Sequence, residues 1–113
     1  MNKFISYEDF EKVNIRLGTI IKAHESTKLK KPSIILEIDF GEKIGIKKSS
    51  AQLQKHYDPS KIIGKQVAAV INFEPKQIGN IMSEVLVLGF PDDDGDPVLV
   101  SPDIKLSNGG KLF

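Results

Sequence analysis

Residues 66–90, QVAAVINFEPKQIGNIMSEVLVLGF, contain two continuous apolar runs, at 67–71 and at 85–88. Each run is too continuous for a half-exposed strand and too short for an ordinary helix, which predicts two buried strands. Between them Pro75 removes a backbone donor and Gly79 permits a positive φ, so the connection is predicted to be a loop. We take these two strands as the centre of the fold.

The composition limits the class of protein. A chain of 113 residues has the size of one common domain, so residues 1–113 are predicted to form a single domain. The absence of cysteine excludes disulfide scaffolds, thiolate metal sites and cysteine nucleophiles. No segment has the length of a signal-peptide core or of a membrane span. We therefore expect a cytoplasmic protein that does not insert into membranes.

The sequence has no pattern typical of an enzyme active site. His24 and His56 have no partner at metal-ligand spacing, and neither lies in a nucleophile–base arrangement. No glycine-rich phosphate loop is present. We expect a binding protein without catalytic activity, metal or cofactor.

The charge is unevenly distributed although the formal net charge is only +1. Residues 22–76 carry eleven lysines and six acidic residues, whereas residues 77–113 carry two lysines and six acidic residues. A local basic surface of this kind can bind phosphates weakly, but the whole chain is less basic than a typical tight nucleic-acid binder. Charge alone therefore leaves the partner undecided.

The segments before the central strands predict a helix, a bent strand and a hairpin. Ser6 followed by acidic residues is typical of a capped helix start. Alternating apolar residues over 13–23 predict a strand with a bulge or corner at Gly18. Alternation over 34–40 and a return over 44–48 predict a hairpin.

Two short helices are predicted next, followed by one more strand. Ser49 and Gln52 match a capping box, and Asp58-Pro59 with Gly64 matches a second helix start and stop. Val98-Leu99-Val100 predicts the last short strand, and the remaining residues are predicted to wrap the domain without regular structure.

This order of elements is typical of the OB-fold. Five main strands with a helix between the third and fourth predict a mainly β protein, a five-stranded Greek-key barrel with short helices. The second and third strands and their flanking loops form the usual binding face of that barrel.

Four segments resemble the CsaA family, which belongs to the tRNA-binding-domain OB-fold superfamily. They are VNIRLGTI, ILEIDFGEKIGIKKSSAQL, YDPSKIIGKQVAAVINFEPKQIGNIMSEVLVLG and LSNGGK, and together they span nearly the whole chain. The resemblance implies a tRNA-binding-domain type of barrel and a cytoplasmic homodimer that acts as a chaperone for exported preproteins. It also implies relatives that bind tRNA, including the C-terminal domain of bacterial methionyl-tRNA synthetases.

Departures within residues 79–86 favour the chaperone branch over the tRNA-binding branch. The tRNA-binding relatives have a motif of the type G-x-x-S-x-G-M, of which this chain keeps Ser83 but has Val85 and Leu86 at the last two positions. Glu84 adds a carboxylate that would repel phosphate.

Two sets of candidate site residues follow. The tRNA-binding candidates are Lys28, Lys30, Lys31, Lys47, Lys48 and Ser83. The candidates for peptide binding or a dimer interface are Phe73, Ile78, Ile81, Met82 and Phe90. Exposed lysines are more often only solvated, and the apolar set could equally be core. The expected partners are an unfolded polypeptide or preprotein, tRNA as an alternative, and a second copy of the chain.

Overall fold

The computed structural model of the protein describes residues 3–26 and 32–113. One helix and nine strands lie in these two ranges. They are α1 (Tyr7–Glu11), β1 (Ile15–Ser26), β2 (Ser33–Asp39), β3 (Ile46–Ala51), β4 (Gln66–Val70), β5 (Lys76–Ile78), β6 (Ile81–Ser83), β7 (Leu86–Val87), β8 (Gly89–Pro91) and β9 (Pro97–Leu99). No helix within these ranges is long and apolar enough to cross a membrane.

Five strands form a curled antiparallel sheet in the order β3-β2-β1-β4-β7. The long strand β1 pairs with β4 through residues 15–19 and with β2 through residues 19–26. One strand therefore serves both halves of the sheet. The mainly β class and the OB-type curled sheet are confirmed.

Backbone and side-chain hydrogen bonds together close the seam between β3 and the chain that precedes β7. Glu84 N and Val85 N both donate to Lys48 O, at 2.8 and 3.3 Å. Lys48 N donates a hydrogen bond to the Glu84 carboxylate at 3.1 Å, and Ser50 N donates one to the Ser83 hydroxyl at 3.2 Å. The edge donors of β3 are thus satisfied without a continuous backbone ladder.

Alternate residues of the sheet face a single apolar core. The core includes Ile20, Leu36, Ile38, Phe40, Val67 and Ala69, all fully or almost fully buried. Because strand side chains alternate between faces, the intervening residues of β1 and β4 point away from this core. Leu17 and Ala68, which are register partners, therefore lie on the outer face.

Gly18 has a different role from the bulge that its position predicts. The irregularity of β1 falls between Ile20 and Lys22, in its pairing with β2. At Gly18 an added Cβ would lie 2.5 Å from Ile38 Cγ2 and 2.8 Å from two ring atoms of Phe40. The position of the bulge was wrong, whereas the alternative of a corner agrees with the change of partner of β1 from β4 to β2 at Thr19, next to Gly18. Glycine is required here because two core side chains occupy the space of a Cβ.

The two helices predicted after β3 are wrong. Ser49 lies within β3, and its buried hydroxyl donates to Val85 O at 2.9 Å instead of capping a helix. The Asp58 carboxylate accepts from the backbone N and the hydroxyl of Ser60, which closes a local turn and lowers the pKa of Asp58. At Ser49 the side chain binds a partner that competes with helix formation. The bond from Ser60 N to Asp58 is the one that a helix cap makes, but the chain after it closes a single turn, in which Lys61 N donates to Asp58 O at 2.9 Å.

The helix start at Ser6 is confirmed by a complete capping box. The Ser6 hydroxyl accepts from Asp9 N, and the Asp9 carboxylate accepts from Ser6 N. The connection between the two central strands is more ordered than a plain loop, because β5 and β6 form a small two-stranded sheet within it. The predicted second central strand is also shorter and covers only Leu86–Val87.

Candidate binding surfaces

Only part of the predicted basic surface lies within the residues that the structure describes. Lys28, Lys30 and Lys31 lie outside the described residues. Lys47 and Lys48 are consecutive in β3 and therefore project to opposite faces of the strand. Lys47 shares the face of the buried Ser49, whereas Lys48 is exposed beside Glu37 of β2, its register partner. These two lysines do not form one continuous patch.

Ser83 and Glu84 lie where the β5–β6 sheet meets β3. The Ser83 hydroxyl, which accepts from Ser50 N, lies at the limit of hydrogen-bond distance, 3.5 Å, from Val85 O. One Glu84 oxygen accepts from Lys48 N at 3.1 Å, and the other lies 3.9 Å from Lys47 Nζ. Both side chains therefore contribute to the barrel seam.

The five predicted apolar contact residues are spread over three parts of the chain. Ile78 and Ile81 are register partners at the tip of the β5–β6 sheet, next to Met82. Phe90 lies in the separate β8–β9 sheet, and Phe73 lies in the connection after β4. Phe73, Met82 and Phe90 are exposed, whereas Ile78 and Ile81 are half-buried.

An apolar groove of about 410 Å³ lies on the outer face of β1 and β4. Its lining includes Ile15, Leu17, Ala68, Val100, Leu106 and Phe113. None of the five predicted contact residues lines it. Sequence reasoning missed this groove because Leu106 and Phe113 lie in a segment without periodicity. The signal available was that several large apolar residues occur in a segment predicted to wrap the domain without regular structure.

Polar bonds hold the irregular wall of the groove in place. The Gln66 side chain donates to Leu106 O at 2.6 Å and accepts from Leu106 N at 3.0 Å, as a neighbouring strand would. Gly109 N donates to Leu17 O, and Leu17 N donates to Gly110 O. The groove is therefore built on fixed backbone, which suits a preformed binding surface.

A second cavity of about 270 Å³ adjoins the far side of Leu112 and Phe113. Tyr7 and Phe10 of α1 line it together with these two residues. Because Leu112 and Phe113 line both cavities, the apolar surface extends from α1 to the outer face of β1 and β4.

A charged cluster joins the turn after β3 to the loop between β8 and β9. Lys55 Nζ lies 2.8 Å from carboxylate oxygens of both Asp92 and Asp94 and 3.5 Å from Asp96. His56 Nε2 lies 2.7 Å from the same Asp92 oxygen. Hydrogen bonds from Lys55 and His56 hold the pKa of Asp92 well below its ordinary value, and hydrogen bonds to Asp92 and Asp94 raise the pKa of Lys55.

We expect Asp92 to make the stability of the protein acid-sensitive. Its pKa is lower in the folded than in the unfolded chain. Its contribution is therefore complete above the unfolded pKa of about 4 and is lost as the pH falls below that value. Urea unfolding of Asp92→Asn should show lower stability at neutral pH and a flatter acid dependence. Asp93→Asn is the matched control and should keep the wild-type dependence; equal profiles for the two variants would contradict the prediction.

Neither histidine belongs to a metal site within residues 3–26 and 32–113. No group of three or more His, Cys, Asp or Glu side chains in these ranges is arranged to hold a metal ion. The surfaces described above therefore offer hydrogen bonds, charge and apolar area for binding.

The family model described as "Putative tRNA binding domain" matches residues 15–111. The chain is also similar to the chaperone CsaA from Bacillus anthracis, whose crystal structure is 45% identical in sequence and superposes with a TM-score of 0.91. That alignment covers 97% of this chain and 99% of the chaperone. The chain belongs to the CsaA family of tRNA-binding domains.

A second CsaA chaperone, from Picrophilus torridus, supports this assignment. It is 44% identical to this CsaA-family chain and superposes with a TM-score of 0.89. The alignment covers 97% of this chain and 100% of the chaperone. A MetRS-related protein from Pyrococcus horikoshii has a TM-score of 0.86 at 21% identity, which shows the shared fold alone.

Curated methionine–tRNA ligases share one region with this chain. The ligases of Porphyromonas gingivalis and Flavobacterium johnsoniae are 31% and 32% identical over 108 residues. The CsaA-family chain spans only 15% of the length of either ligase. The matched family is a binding-domain family and not a catalytic one.

Proposed function

We propose that the protein is a non-catalytic chaperone that binds unfolded polypeptides, including exported preproteins, in the cytoplasm. The observation that carries the proposal is the preformed apolar groove over β1 and β4, whose wall includes the exposed side chain of Leu106. Full-length similarity to two CsaA chaperones supports it. Unfolded chains present apolar segments, and a concave apolar surface binds such segments by removing both from water.

The proposed active form is a homodimer. The chain exposes several large apolar side chains, among them Phe4, Ile5, Tyr7, Phe90 and Phe113. Exposed apolar area of this kind is typical of interaction surfaces. In this proposal Phe73, Ile78, Ile81, Met82 and Phe90 supply contact area to the second copy or to the polypeptide. Sedimentation at micromolar concentration should give twice the chain mass of 12.5 kDa.

A charge placed in the groove tests the polypeptide site. We expect Leu106→Asp to weaken binding of a labelled apolar peptide about tenfold, because the carboxylate would lose water when the peptide covers it. Ile63→Asp is the matched control: Ile63 is 48% exposed, close to the 49% of Leu106, and does not line the groove. Thermal unfolding of both variants checks the fold. Equal peptide affinities for the two variants would place the peptide elsewhere.

A second proposed function is tRNA binding, which the match to the tRNA-binding-domain family favours. In this proposal Lys28, Lys30, Lys31, Lys47 and Lys48 contact phosphates and Ser83 contacts the RNA. Phosphate contacts release counterions, so tRNA affinity should fall steeply between about 50 and about 200 mM salt. Binding of the apolar peptide should change far less. Labelled tRNA and peptide titrated side by side separate the two functions, and a flat salt response for tRNA would contradict phosphate binding.

A further inference from the structure

We propose that Glu84 is a specificity-determining residue that disfavours nucleic-acid phosphates at the β3 edge. This inference rests on the second proposed function, binding of tRNA, and it concerns the seam between β3 and the β5–β6 sheet. At this seam the Glu84 carboxylate occupies two hydrogen-bond donors that could otherwise bind a phosphate.

The two donors are a backbone amide and an ammonium group. Lys48 N donates to Glu84 Oε1 at 3.1 Å, and Lys47 Nζ lies 3.9 Å from Glu84 Oε2. An N–H group beside an ammonium is a common arrangement for binding phosphate oxygens. The protein therefore fills a small anion site with its own carboxylate.

The backbone around Glu84 is fixed independently of its charge. Glu84 N and Val85 N both donate to Lys48 O. An amide at position 84 would keep an oxygen that can accept from Lys48 N, so Glu84→Gln removes the charge and keeps the seam. The carboxylate is thus not needed to hold this part of the barrel.

Lys47 is the cation that faces Glu84. It is the ion-pair partner of Glu84, whereas the side chain of Lys48 projects to the opposite face of β3, beside Glu37. The Lys47 and Glu84 side chains are 37% and 34% exposed, so an approaching strand of RNA can reach both. The fixed negative charge of Glu84 repels the phosphate that Lys47 attracts. An uncharged apolar segment experiences no such repulsion, so Glu84 shifts selectivity towards polypeptide.

The test compares Glu84→Gln with Glu74→Gln. Glu74 lies in the same connection between β4 and β7, is exposed, and forms no hydrogen bond or ion pair within the described part of the chain. Both variants change the net charge equally. We expect Glu84→Gln to bind unfractionated tRNA about two- to five-fold more tightly than Glu74→Gln at about 50 mM salt. Each added phosphate contact should steepen the slope of log affinity against log salt by about 0.7 to 0.9.

Adding Lys47→Gln to Glu84→Gln should remove most of the gain. Affinity for the labelled apolar peptide should be the same in Glu84→Gln and wild type. Failure of both proteins to bind the peptide would count against the chaperone function and not against this inference, whereas a loss confined to Glu84→Gln would overturn the inference. Equal tRNA affinities for Glu84→Gln and Glu74→Gln overturn the inference, as does failure of both to bind tRNA. A gain that persists without the Lys47 ammonium also overturns it.

Discussion

Replacing Gly18 by alanine should lower the free energy of unfolding by about 2 to 3 kcal/mol. The added Cβ would lie 2.5 Å from Ile38 Cγ2 and 2.8 Å from the Phe40 ring, distances that real side chains do not tolerate. Because Ile38 and Phe40 are both buried in the core, neither can move aside without disturbing its own packing. Denaturant unfolding at one fixed protein concentration measures the loss.

Gly110→Ala is the matched control for the Gly18 variant. An added Cβ at Gly110 would meet no atom within 4 Å. We therefore expect its unfolding free energy to stay within about 0.5 kcal/mol of wild type. If both variants lost stability equally, the cost would come from the general preference of the backbone for glycine and not from the crowded core.

Truncating Phe40 to alanine should cost about 3 to 5 kcal/mol. Phe40 is among the largest fully buried side chains described in the structure, so its removal leaves a cavity that the curled sheet cannot close. Phe40→Leu keeps most of the volume and should lose much less. Comparable losses for the two variants would mean that the ring does not fill the core.

The same two positions should be energetically coupled. Two of the three nearest contacts of a Cβ at position 18 are ring atoms of Phe40. The cost of Gly18→Ala should therefore fall in the Phe40→Ala background, but not to zero, because Ile38 remains. A double-mutant cycle measures this coupling, and strict additivity would contradict direct contact between the two sites.

The strand pattern could be predicted from the sequence because it depends on local alternation. The strand β2 and the long strand β1 follow from alternating apolar residues, whereas β3, with the sequence IKKSSA, carries little of this alternation. The resemblance to CsaA added the family, which the comparisons support. These features need no knowledge of distant contacts.

The errors fall where distant contacts decide the local structure. Ser49 matches a capping box, but its hydroxyl finds a partner 36 residues away in Val85, and β2 pairs with its backbone. Lys47 and Lys48 were grouped as one basic surface, although consecutive residues of a strand project to opposite faces. A capping pattern is a local signal and cannot register a competing strand partner.

The candidate site was predictable only in its general character. The sequence predicted apolar contact residues near 73–90, whereas the groove depends on Gln66 fixing Leu106, forty residues further along the chain. An amide side chain that pairs with the backbone of an irregular segment has no periodic signature. The positions of such surfaces therefore require the three-dimensional structure.

The bonds between Leu17 and residues 109 and 110 also bear on how the chain folds during synthesis. The edge of β1 that does not pair with β4 is covered at Leu17 by residues that the ribosome adds more than ninety positions later. The Arg16 side chain, for example, donates to Gly109 O across a sequence separation of 93 residues. Contacts of such long sequence separation slow folding. We expect a nascent chain in which residues 109–112 have not yet been made to keep this edge of β1 open to water, and therefore to be prone to aggregation until these residues pair with β1.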